Sequence, residues 1–230
     1  MQLLTDSDIV PNDPAAQRLR GTVWQDVQLA HVGYSLISSL GRGLGRVGIS
    51  ANALTTMALA LSAAAGVAVA TGHLWSAAAL VLVSGVLDAL DGVVARATGT
   101  TSRWGALLDS TVDRFADAFP LMGVASLYLA HDRLALIPIG TLVFGFGVSY
   151  VRARAEALGT QLPALFMRRA ERTILLLLCL ALGTVDFSPV MPHALLLAGV
   201  GILGVMNAVG VVAALSAARR VLSAKDEHLG

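Results

Sequence analysis

The sequence is poor in charge, aromatic residues and cysteine, and each shortage excludes a class of protein. Of its 230 residues, 13% are charged and 5% are aromatic, whereas 56% are apolar. A disordered chain or an ordinary soluble domain carries more charge than this, so we expect an integral membrane protein. The single cysteine, Cys179, rules out an internal disulfide, and its apolar neighbours indicate that it packs in a core.

A strong excess of positive charge and a secretory leader are also missing. The net charge of +1 does not provide the concentrated basic face that binds polyphosphate, so no nucleic acid partner is expected. Residues 1–21 contain three acids and no sustained apolar run, which argues against a cleavable signal peptide. We interpret residues 1–21 as a polar tail on the cytosolic side.

Long uncharged runs are abundant. The stretch from Val47 to Leu87 has no Asp, Glu, Lys or Arg and is about twice the ~20 residues that one spanning helix needs. The pattern predicts an all-α membrane protein whose membrane domain, residues 47–220, has six transmembrane helices, followed by a polar tail over 221–230. The predicted spans are 52–70, 74–95, 107–130, 134–151, 171–188 and 193–217.

An amphipathic helix is predicted over 22–46, ahead of the spans. Its apolar residues recur at steps of three and four, which is the spacing of one helical face; they are Val23, Val27, Ala30, Tyr34 and Ile37. Such a helix either lies along the membrane surface or packs on the protein itself.

The distribution of arginine predicts the topology. With six spans, fourteen of the sixteen basic residues fall on one side of the membrane, and Arg133 alone falls in a connection on the other. Basic connections stay in the cytosol, so both termini are expected there. The chain has fifteen arginines and one lysine, Lys225, a balance compatible with a bacterial cytoplasmic membrane protein.

Four aspartates near the cytosolic ends of two consecutive spans predict a metal site. Asp88 and Asp91 are three residues apart, and Asp109 and Asp113 are four apart, so each pair shares a helical face. A short connection brings the two pairs to the same depth, where acids cost about 2.5 to 3.5 kcal/mol each without partners. Oxygen clusters of this kind suit Mg²⁺ or Mn²⁺, and two ions could be accommodated.

A structural alternative is that these aspartates form salt bridges with Arg96, Arg103 and Arg114. Five intramembrane aspartates would then face three arginines, which leaves a surplus of negative charge. The fifth acid, Asp117, lies deeper, and its role as a ligand or as a structural partner stays open.

The stretch from Asp88 to Asp113 resembles the signature of the CDP-alcohol phosphotransferase family. That signature is D-x-x-D-G-x-x-A-R, eight residues, then G-x-x-x-D-x-x-x-D, and it matches without substitution at Asp88, Asp91, Gly92, Ala95, Arg96, Gly105, Asp109 and Asp113. The resemblance implies that Asp88, Asp91, Asp109 and Asp113 bind the metal ions and that Asp113 is the general base. It also implies that the CDP moiety contacts Asp88, Gly92, Ala95, Arg96 and Gly105.

Further segments resemble the phosphatidylinositol-phosphate synthase branch of that family; they are Arg42–Ser50, Ser102–Gly105, Leu108–Asp117, Ser149–Glu156 and Arg169–Arg172. The resemblance implies transfer of a phosphatidyl group from CDP-diacylglycerol to inositol 1-phosphate with release of CMP, and it implies a homodimer. Ser149, Arg152, Arg169 and Arg172 would bind the acceptor. Glycerol 3-phosphate or an uncharged alcohol remains an alternative acceptor, since Ala213 and Leu215 stand where the branch has a basic residue.

Two other functions also use acids inside membranes. A membrane prenyltransferase holds Mg²⁺ on an isoprenoid diphosphate with aspartate-rich helices. Such an enzyme has a third carboxylate at the position of Ala95, which this chain lacks. An ion or proton transporter lines a path with acids spread across the membrane, whereas these cluster near one face, apart from Asp117.

Overall fold

The computed structural model describes residues 28–131, 133–163, 166–185 and 193–227. Within these ranges the chain forms seven helices and no strand, which confirms the all-α prediction. The helices are α1 (Gln28–Arg46), α2 (Ala51–Ala70), α3 (Leu74–Ala97), α4 (Arg103–Leu127), α5 (Leu136–Ala157), α6 (Arg169–Leu182) and α7 (Ala194–Glu227). The predicted tail over 1–21 and the start of the amphipathic helix, including Val23, lie outside the described residues.

Four of these helices are long and apolar enough to cross a bilayer. They are α2, α3, α5 and residues 194–224 of α7. Helix α4 is long enough, with 25 residues, but it contains the charged residues Asp109, Asp113 and Asp117. Helix α6 is short, with only 14 residues. The multi-pass membrane character is confirmed, while the six spans and the cytosolic position of both termini stay predictions.

The six helices after α1 pack in a closed ring. Helix α2 packs against α4, α4 against α5, α5 against α7, α7 against α6, α6 against α3, and α3 against α2. The main apolar core gathers at one end of this ring, where α2, α4 and α6 end; it includes Val69, Val124, Leu180 and Leu196, and the buried Cys179 belongs to it. The opposite end, where α3 and α5 end and α4 and α6 begin, is left for polar side chains.

Hydroxyl groups join neighbouring helices through backbone carbonyls. Ser84 Oγ of α3 donates to the Ala58 carbonyl of α2 at 2.8 Å, and Thr141 Oγ1 of α5 donates to the Val200 carbonyl of α7 at 2.9 Å. Asn207 Nδ2 of α7 donates to the Thr141 carbonyl at 3.2 Å. In a bilayer the lipid tails are as apolar as the helix surfaces, so the hydrophobic effect does little to hold helices together. Interhelical hydrogen bonds of this kind then stabilise the helix packing.

Helix α4 contains a proline whose missing hydrogen bond is replaced by α2. Pro120 has no N–H to donate to the carbonyl of Ala116, four residues earlier. Ser62 Oγ of α2 donates to that carbonyl at 2.6 Å. The two helices can approach this closely because Gly66 faces α4, and a Cβ added there would lie 2.5 Å from the Phe119 carbonyl oxygen.

One face of α1 packs on α3. Ile37 and Leu44 contact a small core cluster, and a Cβ added at Gly41 would lie 2.5 Å from Val93 Cγ1. The packed alternative is therefore observed for this face. Leu36 and Leu40, which are not among the residues of the predicted face, are 60% and 59% exposed.

Candidate active site

Three of the predicted metal ligands meet where α3 ends and α4 begins. Asp88, Asp91 and Asp109 each offer one carboxylate oxygen, and these atoms lie within 4.8 Å of one another. The turn between the helices contains Gly99 with a φ of 66°, a left-handed conformation that glycine adopts without strain. Ser102 then caps α4, its Oγ accepting the Gly105 N–H at 3.0 Å, so the helix starts with its aspartates turned toward α3.

Asp91 is the most deeply placed of the three. It is 5% exposed, and its Oδ2 accepts a hydrogen bond from Thr55 Oγ1 of α2 at 2.6 Å. A hydrogen bond to a buried carboxylate orients it and offsets part of its desolvation. Thr55 therefore fixes the orientation of Asp91 and leaves its second oxygen for a ligand.

The fourth predicted ligand, Asp113, is joined to the cluster by an arginine. Arg169, the first residue of α6, directs Nη1 at Asp88 Oδ2 and lies 2.6 Å from Asp113 Oδ1 with the same nitrogen. Its Nε lies 3.5 Å from Asp117 Oδ1. One guanidinium thus stands among three carboxylates.

Arg172 is the second arginine of this site that pairs with an aspartate. It is 8% exposed, and its Nη2 lies 2.7 Å from Asp117 Oδ2 and donates to Ser149 Oγ at 3.2 Å. Its Nη1 donates to the Met167 carbonyl at 3.0 Å. Asp117 therefore has a structural partner, and its carboxylate lies between the two arginines.

The start of α6 is fixed by Glu171, which places both arginines. Its Oε2 accepts the N–H of Met167 at 2.7 Å and that of Arg168 at 3.1 Å, so two backbone donors at the helix end are satisfied. Met167 has a φ of 65°, a strained conformation for a residue with a side chain, and it is fully buried. This rigid entry directs Arg169 and Arg172 toward α4.

The donor set fits a hard divalent cation. Asp88 Oδ1 is buried and has no hydrogen-bond partner among the described residues, as expected of an oxygen that a cation would satisfy. Within the described ranges, the five aspartates form ion pairs only with Arg169 and Arg172. The alternative of pairing with Arg96, Arg103 and Arg114 is not observed there, and a surplus of negative charge remains.

A cavity of about 440 Å³ opens on the Asp91 and Asp109 side of the cluster. Four of the five predicted CDP residues line it, Asp88 being the exception, together with polar residues from α2 and the α3–α4 turn; the lining includes Gly92, Ala95, Arg96, Gly105, Asn52, Thr98, Thr100 and Ser102. A Cβ added at Gly92 would lie 3.1 Å from Arg96 Nη1, so the guanidinium lies over the bare backbone of Gly92. The absence of side chains at Gly92 and Gly105 keeps this wall flat.

A second cavity, of about 680 Å³, opens on the Asp113 side. All four residues predicted to bind the acceptor line it, with further charged residues of α4, α5 and α6; the set includes Ser149, Arg152, Arg169, Arg172, Arg114, Arg168, Glu156 and Asp117. Five arginines and four acids line this cavity, and one of the acids, Glu171, is engaged in the α6 cap. The excess of guanidinium groups suits an anionic ligand.

Sequence reasoning missed three side chains of this site. Thr55 gave no signal, because a threonine inside an apolar helix is compatible with simple packing. Glu171 follows Arg168 at the spacing of a capping box, a pattern that could have been detected. Arg168 lines the second cavity but was assigned only to the cytosolic charge bias.

Comparisons with known proteins agree with this geometry. The family model described as CDP-alcohol phosphatidyltransferase matches residues 49–221. The archaetidylinositol phosphate synthase of Methanothermobacter thermautotrophicus is 36% identical over 132 residues, which are 57% of this chain and 66% of that protein.

Two solved structures of Mycobacterium tuberculosis phosphatidylinositol phosphate synthase share the fold. The structure with CDP-DAG bound has a TM-score of 0.70 and 31% identity, covering 80% of this chain and 94% of that one. The complex with manganese and citrate has a TM-score of 0.69 and 30% identity, covering 79% and 88%. The prenyltransferase and transporter alternatives gain no support from these comparisons. The match over 173 consecutive residues, which contain every carboxylate described above, shows that this chain belongs to the CDP-alcohol phosphatidyltransferase family.

Proposed function

We propose that this enzyme transfers a phosphatidyl group from CDP-diacylglycerol to inositol 1-phosphate and releases CMP. One observation carries the proposal: the carboxylate cluster lies between two cavities of different character, with Asp91 and Asp109 lining one and Asp113 lining the other. A transferase that joins two substrates needs this arrangement, because the reacting phosphorus and the attacking hydroxyl must meet at one place.

The nucleotide is assigned to the 440 Å³ cavity. The bare backbones of Gly92 and Gly105 allow a flat ligand to approach, and Arg96 supplies a cation beside them. A related protein has been solved with CDP-DAG bound, and 80% of this chain superimposes on it. The pyrophosphate would then lie beside Asp91 and Asp109, and the acyl chains would extend into the bilayer.

The acceptor is assigned to the 680 Å³ cavity. Its arginines, among them Arg152 and Arg169, are suited to the phosphate of a phosphorylated alcohol, because guanidinium forms paired hydrogen bonds with phosphate oxygens. Ser149 Oγ adds a hydroxyl to the same wall. The archaeal relative is named for an inositol phosphate product, which supports inositol 1-phosphate over an uncharged alcohol.

The reaction uses the side chains between the cavities. The acceptor oxygen forms a bond to the phosphorus that carries diacylglycerol, the bond from that phosphorus to the bridging oxygen breaks, and the bridging oxygen leaves as part of CMP. Asp113 takes the proton of the attacking hydroxyl. Two Mg²⁺ or Mn²⁺ ions, held by Asp88, Asp91, Asp109 and Asp113, would neutralise the pyrophosphate charge when bound.

The membrane arrangement completes the proposal. Six spans with both termini cytosolic would place the two cavities at the cytosolic face of a bacterial membrane, where CDP-diacylglycerol and a soluble sugar phosphate can both reach them. A homodimer is proposed from the family resemblance.

The direct test is CMP release by the purified protein with Mg²⁺ and CDP-diacylglycerol. Inositol 1-phosphate is compared with glycerol 3-phosphate, inositol and serine as acceptors. The proposal expects CMP release with inositol 1-phosphate and formation of the matching lipid product. Release with an uncharged alcohol alone would refute the phosphorylated acceptor, and no release with any acceptor would refute the transferase.

Asp113→Asn is the matched variant for the base. It keeps the shape of the side chain but removes its basicity, so turnover is expected to fall by about 10²-fold or more while CMP binding is retained. Normal turnover in this variant would exclude Asp113 as the base. Retained CMP binding is the control, because it shows that the variant is folded and still takes its nucleotide.

A further inference from the structure

The position of Arg169 conflicts with its proposed role in binding the acceptor. Its Nη1 contacts Asp88 and Asp113, two of the four carboxylates proposed to bind metal ions. A guanidinium and a divalent cation cannot occupy the same space between these oxygens. Arg169 must therefore leave the carboxylates before both of them can bind a metal ion.

The remaining ligands do not share this conflict. Within the described residues, Asp91 and Asp109 form no ion pair with Arg169, and Asp88 Oδ1 has no hydrogen-bond partner, since Arg169 contacts the other oxygen, Oδ2. These three residues can therefore hold one cation while Arg169 stays in place. Only a second cation, between Asp88 and Asp113, competes with the guanidinium.

We propose that Arg169 is an internal cation that occupies the second metal position and couples that position to the acceptor. This inference rests on the proposed two-ion transferase. When the second ion binds, Arg169 turns toward the 680 Å³ cavity, which it already lines, and becomes available to the acceptor phosphate. When the phosphate binds, Arg169 is drawn from Asp88 and Asp113, and the second ion binds more tightly.

Asp117 makes this exchange feasible. Arg169 Nε lies 3.5 Å from Asp117 Oδ1, and Asp117 is held in place by Arg172 at 2.7 Å. Arg169 can release Asp88 and Asp113 with its Nη atoms while Nε keeps a carboxylate nearby. Nε has no hydrogen-bond partner among the described residues in its present position, so Asp117 can accept one from it after the turn, and the charge stays beside a carboxylate.

Coupling of this kind is reciprocal. If the second ion strengthens acceptor binding by a given factor, the acceptor must strengthen binding of the second ion by the same factor. The first ion, which does not compete with Arg169, is not coupled in this way. Under this proposal the second ion and the acceptor favour each other's binding, because Arg169 is available to the acceptor phosphate when it has left Asp88 and Asp113.

The test is a Mn²⁺ titration of the full chain in detergent, followed by electron paramagnetic resonance. The wild type is expected to bind one Mn²⁺ tightly and a second weakly, and inositol 1-phosphate is expected to tighten the second. In Arg169→Gln the second Mn²⁺ should bind about ten- to a hundredfold more tightly, since the competing charge-assisted contacts are lost. The same variant should lose the effect of inositol 1-phosphate.

Arg152→Gln is the matched control. It removes an equal charge from the same cavity without touching Asp88 or Asp113, so the second Mn²⁺ affinity should change by less than about threefold. An equal change in both variants would attribute the effect to general electrostatics and overturn the proposal. Unchanged or weakened Mn²⁺ binding in Arg169→Gln would also overturn it.

The wild-type measurement keeps the test decisive if a variant does not fold. Independent binding of inositol 1-phosphate and the second Mn²⁺ to the wild type would refute the coupling, although the transferase itself would stand. Failure of the wild type to bind any Mn²⁺ would instead refute the metal site on which both proposals depend.

Discussion

Replacing Asp117 by Asn tests whether this residue acts mainly through Arg172. Arg172 is 8% exposed and has three hydrogen-bond partners, which are Asp117 at 2.7 Å, Met167 O at 3.0 Å and Ser149 at 3.2 Å. Removing one member of a buried ion pair typically costs 3–5 kcal/mol, because the other charge is left uncompensated. Two neutral partners remain, so we expect a loss of about 3 kcal/mol, the lower end of that range.

The assay is reversible unfolding in mixed micelles, followed by circular dichroism as the fraction of dodecyl sulfate increases. Ser149→Ala is the control, since it removes a longer, neutral contact from the same guanidinium and should cost about 1 kcal/mol. The double variant Asp117→Asn with Arg172→Met should be more stable than the sum of the single changes. A loss below about 0.5 kcal/mol in Asp117→Asn would refute the structural role of this pair.

Three further predictions concern the neighbouring helices. Thr55→Val removes the 2.6 Å hydrogen bond to Asp91 and should lower the unfolding free energy by about 1.5–3 kcal/mol, measured by the same unfolding assay, and weaken the first Mn²⁺ site. Ala95→Phe fills the 440 Å³ cavity and should weaken CMP binding by tenfold or more, on the order of 1.4 kcal/mol, in calorimetry without lowering stability; unchanged affinity would contradict the nucleotide assignment. Gly123→Val introduces a Cβ 2.8 Å from Val69 Cβ and should destabilise the fold by about 1–3 kcal/mol, whereas a neutral result would mean that α2 and α4 can separate.

The convergence of the aspartates could be predicted because it depends on local geometry. Residues three or four apart share a helical face, and a connection of a few residues brings the ends of two helices together. Asp88, Asp91 and Asp109 therefore meet as the spacing indicated. The same reasoning correctly gave the all-α class and the membrane character, since both follow from composition.

The contacts of Arg169 could not be predicted, because they depend on how the six helices after α1 close into a ring. The ring brings α6 against α3 through helices that are distant in the chain, and no local periodicity encodes that neighbour. The resemblance implied a phosphate-binding role for Arg169, and the structure places it at the 680 Å³ cavity but also on Asp88 and Asp113. The number of spans stays a prediction, because α4 is a long helix whose charges are matched internally by side chains of α6 and composition alone does not place it.

The hydrogen bond from Ser62 to the Ala116 carbonyl makes two distant positions dependent on each other. Pro120 is tolerated in α4 only while another helix satisfies the oxygen that it leaves open. Substituting Ser62 alone would orphan that oxygen, whereas an earlier exchange of Pro120 for alanine would make the serine dispensable. The order in which the two substitutions arise therefore decides whether the lineage passes through a weakened intermediate.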